Sequence, residues 1–301
     1  MSNMPRISFL GANRTAQYRL RQAFGRLDAV NQQVSTGRAY NRPSENISAS
    51  SRAAAVQGQV DQMGSFERSI DDARSHLAVS DTKMSQAVAL YQRAGELATQ
   101  AANSTYGPEA LTAIKAEIVQ IRDELQSIGN TTYLGQPVFG GLGSANPVTF
   151  NSGTSTWNFG GVPTDRLTRT VGPADNVDIS ITAGEIFSNS TDNIFATLDQ
   201  LTTDLSSGNT AGIQTAIGKI STLRTALTSG QAKLGAAANR VEEAANRNSA
   251  MKITFTAELS KLQEVDLADA ITDQGRLSIA YQSALGVTAR AQEKTLLDWL
   301  R

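Results

Sequence analysis

The chain has 301 residues, of which 40% are hydrophobic and 6% aromatic, and its formal net charge is −1 at pH 7. A charge so near zero provides no global attraction to nucleic acid or to an anionic membrane. The absence of cysteine excludes disulfides, thiolate metal sites and a cysteine nucleophile. No apolar run approaches the roughly 20 residues of a membrane span, and the N-terminus lacks the apolar core and cleavage site of a signal peptide. We therefore expect a soluble protein, or one exported without a cleavable signal.

The first predicted helix is basic and amphipathic. Residues 1–42 hold seven arginines and one acidic residue. Its apolar stripe has the three-and-four spacing of one helix face and consists of Leu20, Phe24, Leu27 and Val34. Arginines in this density also fit a helical nucleic-acid-binding protein, but no aromatic residues alternate with them in a stacking pattern. We favour pairing with other helices and keep nucleic-acid binding as the alternative from a different class.

The stretch QVSTGRAYNRPSEN, residues 33–46, separates this helix from the next. Its polar residues are compatible with a ligand loop or with a joint between two helices. Gly37 is a natural end for the first helix, Pro43 disfavours helix at the residue before it, and Ser44 is expected to cap the following helix. We interpret the stretch as an inter-domain joint, with these principal residues: Thr36, Gly37, Asn41, Pro43 and Ser44.

A heptad pattern predicts a helix on the order of 70 Å long over residues 56–101. One seam is mostly large: Val56, Met63, Ile70, Leu77, Met84, Tyr91 and Ala98. The other is mostly small: Phe66, Ala73, Ser80, Ala87, Ala94 and Ala101. Gly107 and Pro108 then predict a short turn into an antiparallel helix. The apolar stripe of that helix is Leu111, Ile114, Ile118, Ile121, Leu125 and Ile128.

The pattern changes to turns and alternation between residues 130 and 191. The segment VDISIT, residues 177–182, alternates as a strand does, and TWNFGG and LTRTVG resemble a further pair of strands. We therefore predict a small β-containing insert.

Helical spacing returns at residue 192 and continues into a second long heptad pattern. Its seam is Ile213, Ile220, Leu227, Leu234, Val241, Asn248 and Phe255. A looser C-terminal stripe consists of Leu267, Ile271, Leu277, Tyr281, Leu285 and Leu296. Residues 258–301 hold seven acidic and five basic residues, so we expect this helix to pair with the basic N-terminal helix, with charge aiding the register.

The predicted fold class is mainly α: a long antiparallel helical bundle or coiled-coil rod with paired terminal helices. We place the small β-rich insert at the far tip of that rod. The predicted parts are a terminal coiled-coil domain, 1–42 plus 259–301, a helical bundle, 43–135 plus 190–258, and the insert, 136–189.

A search for catalytic chemistry yields no site. The single histidine, His76, flanks a heptad position, and the acidic pairs 71–72 and 242–243 are typical of solvated helix faces. Ser80 and Lys83 match a serine–lysine spacing, but Ser80 lies on the predicted seam and the accompanying motifs are absent. We predict no enzyme activity, no cofactor and no metal site. Amphipathic ends that cannot bury their stripes alone instead indicate assembly with other subunits.

Several separate segments resemble the bacterial flagellin superfamily. They are RISFLGANRTAQYRL and LDAVNQQVSTGRAYNRPSEN near the N-terminus, and LGAAANRVEEAANRN, LQEVDLADAITDQ and LLDWLR near the C-terminus. The likeness covers roughly residues 5–135 and 190–301. Within the superfamily, the opening Arg6-Ile7-Ser8 and the ending Leu296-Leu297-Asp298-Trp299-Leu300 are most similar to the hook–filament junction branch.

The resemblance implies a structural subunit without catalysis, whose terminal helices assemble into the inner layer of the flagellar tube. Implied partners are copies of itself, a neighbouring hook-associated protein, flagellin, and an export chaperone on the C-terminal helix. Nucleic acid and membrane are not among the implied partners. It also implies export through the flagellar channel to an extracellular position. Flagellin itself, the main filament subunit, is the alternative in the same class.

Overall fold

The computed structural model describes residues 4–103, 107–143, 146–161, 166–189 and 191–299, and it excludes the side chains of residues 4–10, 12, 13 and 290–299. The helices are α1 (Met4–Thr36), α2 (Ile47–Ala102), α3 (Pro108–Gly129), α4 (Ala183–Phe187), α5 (Ile194–Ser207), α6 (Thr210–Gln263) and α7 (Leu267–Trp299). A 3₁₀ turn, Pro43–Glu45, lies between α1 and α2. The mainly helical fold class is confirmed.

The chain divides into two compact units. Unit 1 contains Met1–Asp61 and Lys252–Arg301, and unit 2 contains Gln62–Met251. Both α2 and α6 contribute residues to each unit. The predicted boundary at residues 42 and 43 therefore falls inside unit 1, and the predicted insert falls inside unit 2. The three-part division itself stays a prediction.

The predicted heptad seams form the core of unit 2. Every seam position of α2 is buried except Phe66, which is half-buried. The α6 seam is buried from Ile213 to Asn248. Because the second seam of α2 is largely alanine, neighbouring helices can approach it closely. The antiparallel return of α3 is confirmed by an ion pair of 2.6 Å between Arg93 Nε and Glu117 Oε1.

The described residues between α3 and α5 form three antiparallel strand pairs. The first pairs β1 (Thr132–Tyr133) with β2 (Gln136–Pro137), the second β3 (Val148–Asn151) with β4 (Thr156–Phe159), and the third β5 (Thr168–Gly172) with β6 (Asp175–Asp178). The expectation that TWNFGG and LTRTVG contain strands is confirmed, and each strand forms a hairpin with a nearer segment.

The predicted strand over residues 177–182 is correct only to Asp178. Ile179 and Ile181 are buried, and so are the polar residues Ser180 and Thr182 that alternate with them. This segment is buried on both faces because it packs among helices. The alternation of apolar and polar residues had instead suggested a strand with one face in solvent. Thr182 caps α4 by accepting a hydrogen bond from the Glu185 amide.

The insert lies along the long helices of unit 2, so its predicted place at the far tip is wrong. Arg169 Nε of β5 contacts Asp72 Oδ2 of α2 at 2.6 Å. At the β5–β6 turn, Asp175 contacts Arg247 of α6 at 2.8 Å. An isolated two-stranded hairpin is marginal in water, and packing on the helices buries Val171 of β5 and Val177 of β6.

One close contact joins the insert to both long helices. A methyl group added at Gly230 of α6 would lie 2.7 Å from Ile181 Cδ1 and 3.3 Å from Met84 Cε. A side chain at this position would displace the ends of the Ile181 and Met84 side chains, which are both buried. Gly218, on the same helix, has no such neighbour within 4 Å.

We predict that Gly230→Ala has a free energy of unfolding about 1 kcal/mol lower than Gly218→Ala, because overpacking displaces the neighbouring side-chain ends. The matched variant Gly218→Ala has the same helix-propensity gain without a steric cost and should stabilise by about 0.5–1 kcal/mol. Urea unfolding of both variants measures the difference. Equal stabilisation by the two substitutions would contradict the packing described here.

Candidate assembly interface

Helices α1 and α7 pack as an antiparallel hairpin in unit 1. The Phe24 and Tyr281 rings lie 5.7 Å apart between their centroids. Gln274 Nε2 donates a hydrogen bond of 2.7 Å to Asn31 Oδ1. These two contacts are spaced by seven residues on each helix, as expected for helices that pair through one stripe.

This hairpin buries its apolar residues incompletely. Half-buried members of the predicted stripes are Leu20, Leu27, Val34, Leu277 and Tyr281. Among the described side chains of α1 and α7, Ala270 is the only fully buried one. Two helices alone can cover only one face of each other, so the pair has no enclosed core.

The remaining stripe residues are exposed. Their exposed fractions are 54% for Phe24, 49% for Leu267, 55% for Ile271 and 40% for Leu285. The side chain of Leu296 lies outside the described residues. A group of exposed large apolar residues of this kind is typical of an interaction site.

Further exposed apolar residues lie on these helices outside the predicted stripes. Tyr18 is 62% exposed on α1, and Ile279 and Val287 are 67% and 68% exposed on α7. They lie outside the stripe that pairs α1 with α7, so a search for one amphipathic face could not find them. A search for a second apolar face on the same helices would have found them.

The expected charge pairing between α1 and α7 is wrong for the described residues. Arg19 and Arg26 are exposed and form no ion pair with a described acidic residue. Asp273 of α7 instead contacts Arg276 of its own helix at 3.0 Å. The register of the hairpin is therefore determined by packing and one neutral hydrogen bond, because the basic and acidic residues are not opposite each other.

The predicted joint connects α1 to α2 inside unit 1. Gly37 has φ +69°, the left-handed conformation that favours glycine after a helix end. Its carbonyl accepts a hydrogen bond of 3.0 Å from the Val265 amide, and the Ala39 amide donates to the Gln263 carbonyl at 2.7 Å. The α1–α2 and α6–α7 connections are thus paired as a short antiparallel bridge, which sequence patterns did not predict.

The other joint residues shape the backbone. Thr36 Oγ1 donates to the Gln32 carbonyl at 2.7 Å, and the Asn41 amide donates to the Glu45 carboxylate at 2.8 Å. Pro43 begins the 3₁₀ turn.

The expectation that Ser44 caps α2 is wrong. Ser44 lies within the 3₁₀ turn, which moves the beginning of α2 to Ile47. Asn46 caps the helix instead, since its Oδ1 accepts a hydrogen bond of 3.0 Å from the Ala49 amide.

The residues considered for catalysis have structural surroundings. His76 is buried, and its ring lies edge-on to Tyr133 with centroids 6.2 Å apart. Burial lowers the pKa of His76, and the nearby Arg169 lowers it further. Ser80 donates to the His76 carbonyl at 2.8 Å, and Lys83 donates to Gln86 at 3.2 Å, so the serine and the lysine are bonded elsewhere.

The described ranges contain neither a metal-binding cluster nor a membrane-spanning helix. In residues 4–103, 107–143, 146–161, 166–189 and 191–299, no group of three or more histidine or acidic side chains could hold a metal ion. No helix in the same ranges is long and apolar enough to cross a membrane.

Both ends of the sequence match known families. Residues 7–142 match the bacterial flagellin N-terminal helical region, and residues 217–300 match the bacterial flagellin C-terminal helical region. The chain is 25% identical to a flagellin from Bacillus subtilis over 280 residues, which are 90% of this chain and 91% of the relative. It is 22% identical to a flagellin from Halalkalibacterium halodurans over 282 residues, 90% of each chain.

Two similar solved structures are hook-associated proteins. One from Vibrio parahaemolyticus has a TM-score of 0.68 at 15% identity, covering 73% of this chain and 100% of its own. Hook-associated protein 3 from Legionella pneumophila has a TM-score of 0.64 at 16% identity, covering 69% of this chain and 98% of its own. At these identities the likeness demonstrates a shared fold.

The buried histidine predicts a pH dependence of stability. Its folded-state pKa lies below the ordinary value of 6.5, so the unfolded chain takes up the proton more readily. The contribution of neutral His76 is therefore fully present above about pH 6.5 and is lost as the pH falls towards the folded-state pKa. We predict that His76→Gln has a smaller loss of Tm between pH 7.5 and 5.5 than the parent. An equal loss in both proteins would contradict this.

Proposed function

The chain belongs to the bacterial flagellin family, and we propose that it is a structural subunit of the flagellum that joins hook to filament. The observation that carries the proposal is the α1–α7 hairpin, which buries one face and exposes large apolar residues on others. Burial of such residues between subunits supplies the driving force for assembly. The subunit has no catalytic role.

The predicted interface residues keep this role in the proposal. Phe24, Leu267, Ile271 and Leu285 are exposed and available to other subunits, while Leu27 and its neighbours hold the hairpin together. The joint residues around Gly37 set the path of the chain from α1 into α2. In the assembled flagellum we place the terminal part, 1–42 plus 259–301, in the inner layer of the tube.

Flagellin is the second candidate, and a specific observation favours it: the curated relatives aligned along 90% of the chain are flagellins. The junction role is supported by the shared fold of the hook-associated proteins and by the resemblance of the first and last residues to the junction branch. These two functions differ in how far the subunits polymerise.

The proposal includes partners and a location. The subunit contacts copies of itself, a hook-associated protein on one side and flagellin on the other, and it is extracellular in the assembled flagellum. Export is without signal cleavage, with a chaperone on the C-terminal helix before assembly.

Deletion of the gene, followed by electron microscopy of the cells, tests the proposed function. A junction subunit predicts hooks that lack filaments, together with flagellin released into the medium. Expression of the intact chain from a plasmid should restore the filaments. Two results would instead show that the chain is flagellin. The deletion strain would lack flagellin protein altogether, or the purified chain would grow long filaments from seeds.

A further inference from the structure

The single histidine of the chain lies where α2 meets the insert. His76 is 4% exposed, and its ring has a hydrogen bond with the backbone of Ile179, the residue after β6. The other ring nitrogen, Nδ1, is buried and has no hydrogen-bond partner. A neutral imidazole donates from only one nitrogen, whereas an imidazolium donates from both. The surroundings of His76 therefore suit its neutral form, because a proton on Nδ1 would have no acceptor.

An acidic side chain lies one helical turn before this histidine. Asp72 and His76 are four residues apart on α2, so they are neighbours on one helix face. Asp72 Oδ2 accepts a hydrogen bond of 2.6 Å from Arg169 Nε of β5. Both side chains of this ion pair are about one-third exposed, so water reaches them. The carboxylate thus has one cationic partner on the insert and, when the histidine is protonated, a second candidate on its own helix.

The charged groups that act on the imidazole are Arg169 and Asp72. Tyr133 of β1 packs its ring edge-on against His76. Other charged groups of α2, α6 and the insert form their own pairs: Arg74 with Asp71 and Glu242, Asp175 with Arg240 and Arg247, Arg166 with Asp178 and Glu185, and Lys233 with Glu185. The Arg169–Asp72 pair is therefore the one that responds to a charge on His76.

We propose that Asp72 changes partner when His76 is protonated, so that Arg169 is released and the β5–β6 hairpin separates from α2. An unpaired charge costs more in the protein interior than at the surface. The buried imidazolium gains the carboxylate, while the guanidinium of Arg169 already has access to water. The exchange therefore leaves the unpaired cation in solvent. This inference does not depend on the role of the chain in the flagellum.

The hairpin can separate while the helices stay folded. Its other ion pairs to the helices join Asp175 to Arg240 and Arg247, whose side chains are exposed, and such pairs contribute little to stability. Two strands alone are marginal in water, and the buried apolar residues of these strands are Val171 and Val177. The helices, in contrast, share long buried seams. Acid therefore exposes the two valines before it unfolds the core.

Separation of the hairpin takes up a proton. With the hairpin in place, the pKa of His76 lies below its ordinary value of 6.5, first because of burial and then because of Arg169. After separation the ring is protonated below about pH 6.5. The equilibrium constant for separation therefore rises as the pH falls, by up to about tenfold between pH 7.5 and pH 5.5. The docked hairpin is favoured above that range.

Hydrogen exchange of backbone amides tests the separation directly. After correction for intrinsic exchange rates, residues 168–178 should lose up to about tenfold of their protection between pH 7.5 and pH 5.5. Amides of α3 should keep theirs, because the core stays folded. The variant His76→Gln cannot take up the proton and should protect the hairpin equally at both pH values. Loss of protection in the hairpin and α3 together would contradict a local separation.

Two arginine variants distinguish partner exchange from burial alone. Arg169→Gln leaves Asp72 free for His76, so protection of the hairpin should be lower at pH 7.5 and should change less than about twofold with pH. The matched control Arg247→Gln removes a different ion pair between the insert and a long helix, and it should retain the pH dependence of the parent. If Arg169→Gln keeps the full pH dependence, or Arg247→Gln loses it, the exchange is wrong.

The titration of the histidine provides an independent readout. Because the chain has one histidine, its imidazole signals in a nuclear magnetic resonance spectrum need no further assignment. Removal of the neighbouring cation in Arg169→Gln should raise the pKa of His76, whereas Arg247→Gln should leave it as in the parent. An unchanged pKa in Arg169→Gln would overturn the proposed competition for Asp72.

Discussion

A two-helix hairpin can bury only one face of each helix, and the terminal part of this chain depends on that limit. Helices α1 and α7 are each 33 residues long, yet their described side chains include one fully buried residue, Ala270. The apolar residues on their other faces remain in water in the single chain. The free energy available from covering those residues is the reason to interpret the hairpin as an assembly element.

Unit 2 solves the same burial problem within one chain. There α2 and α6 have three additional helices and three strand pairs as neighbours, so both heptad seams are covered. Alanine in the second α2 seam and Gly230 in α6 permit close approach, while Tyr91 and Phe195 fill the space with large side chains. This unit therefore has a core that is enclosed within one chain.

The parts of this fold that sequence could predict are those governed by local periodicity. Heptad spacing predicted the burial of Ile70, Met84 and Leu227 because a long helix has one inward face whatever its partner is. Strand pairing in the insert was not predictable in the same way. Short strands obtain their partners from tertiary contacts that alternation does not encode. The burial of Ile179 to Thr182, which follow β6, on both faces has the same origin.

The candidate interface was predicted in part for the same reason. The stripe through Leu27 and Leu277 follows from helical spacing, but Ile279 and Tyr18 lie outside it. The net charges of α1 and α7 indicated that the basic helix would form ion pairs with the acidic one. Composition, however, does not determine which residues of the two helices lie opposite each other. Likewise, Ser44 was predicted to cap α2 because serine is a common cap residue. The 3₁₀ turn at Pro43–Glu45 makes Asn46 the cap instead, and residue type alone does not predict that turn.

The central claim is that the exposed face of the terminal hairpin is completed by other subunits. The most direct test expresses the Ile279→Asp variant in the deletion strain and asks whether filaments return. The Gln282→Asp variant is the matched control. Ile279 is 67% exposed, so the substitution should leave the far-ultraviolet circular dichroism and Tm of the isolated chain unchanged. The account predicts secreted chain without filaments for Ile279→Asp and normal filaments for Gln282→Asp. Normal filaments with Ile279→Asp would contradict it.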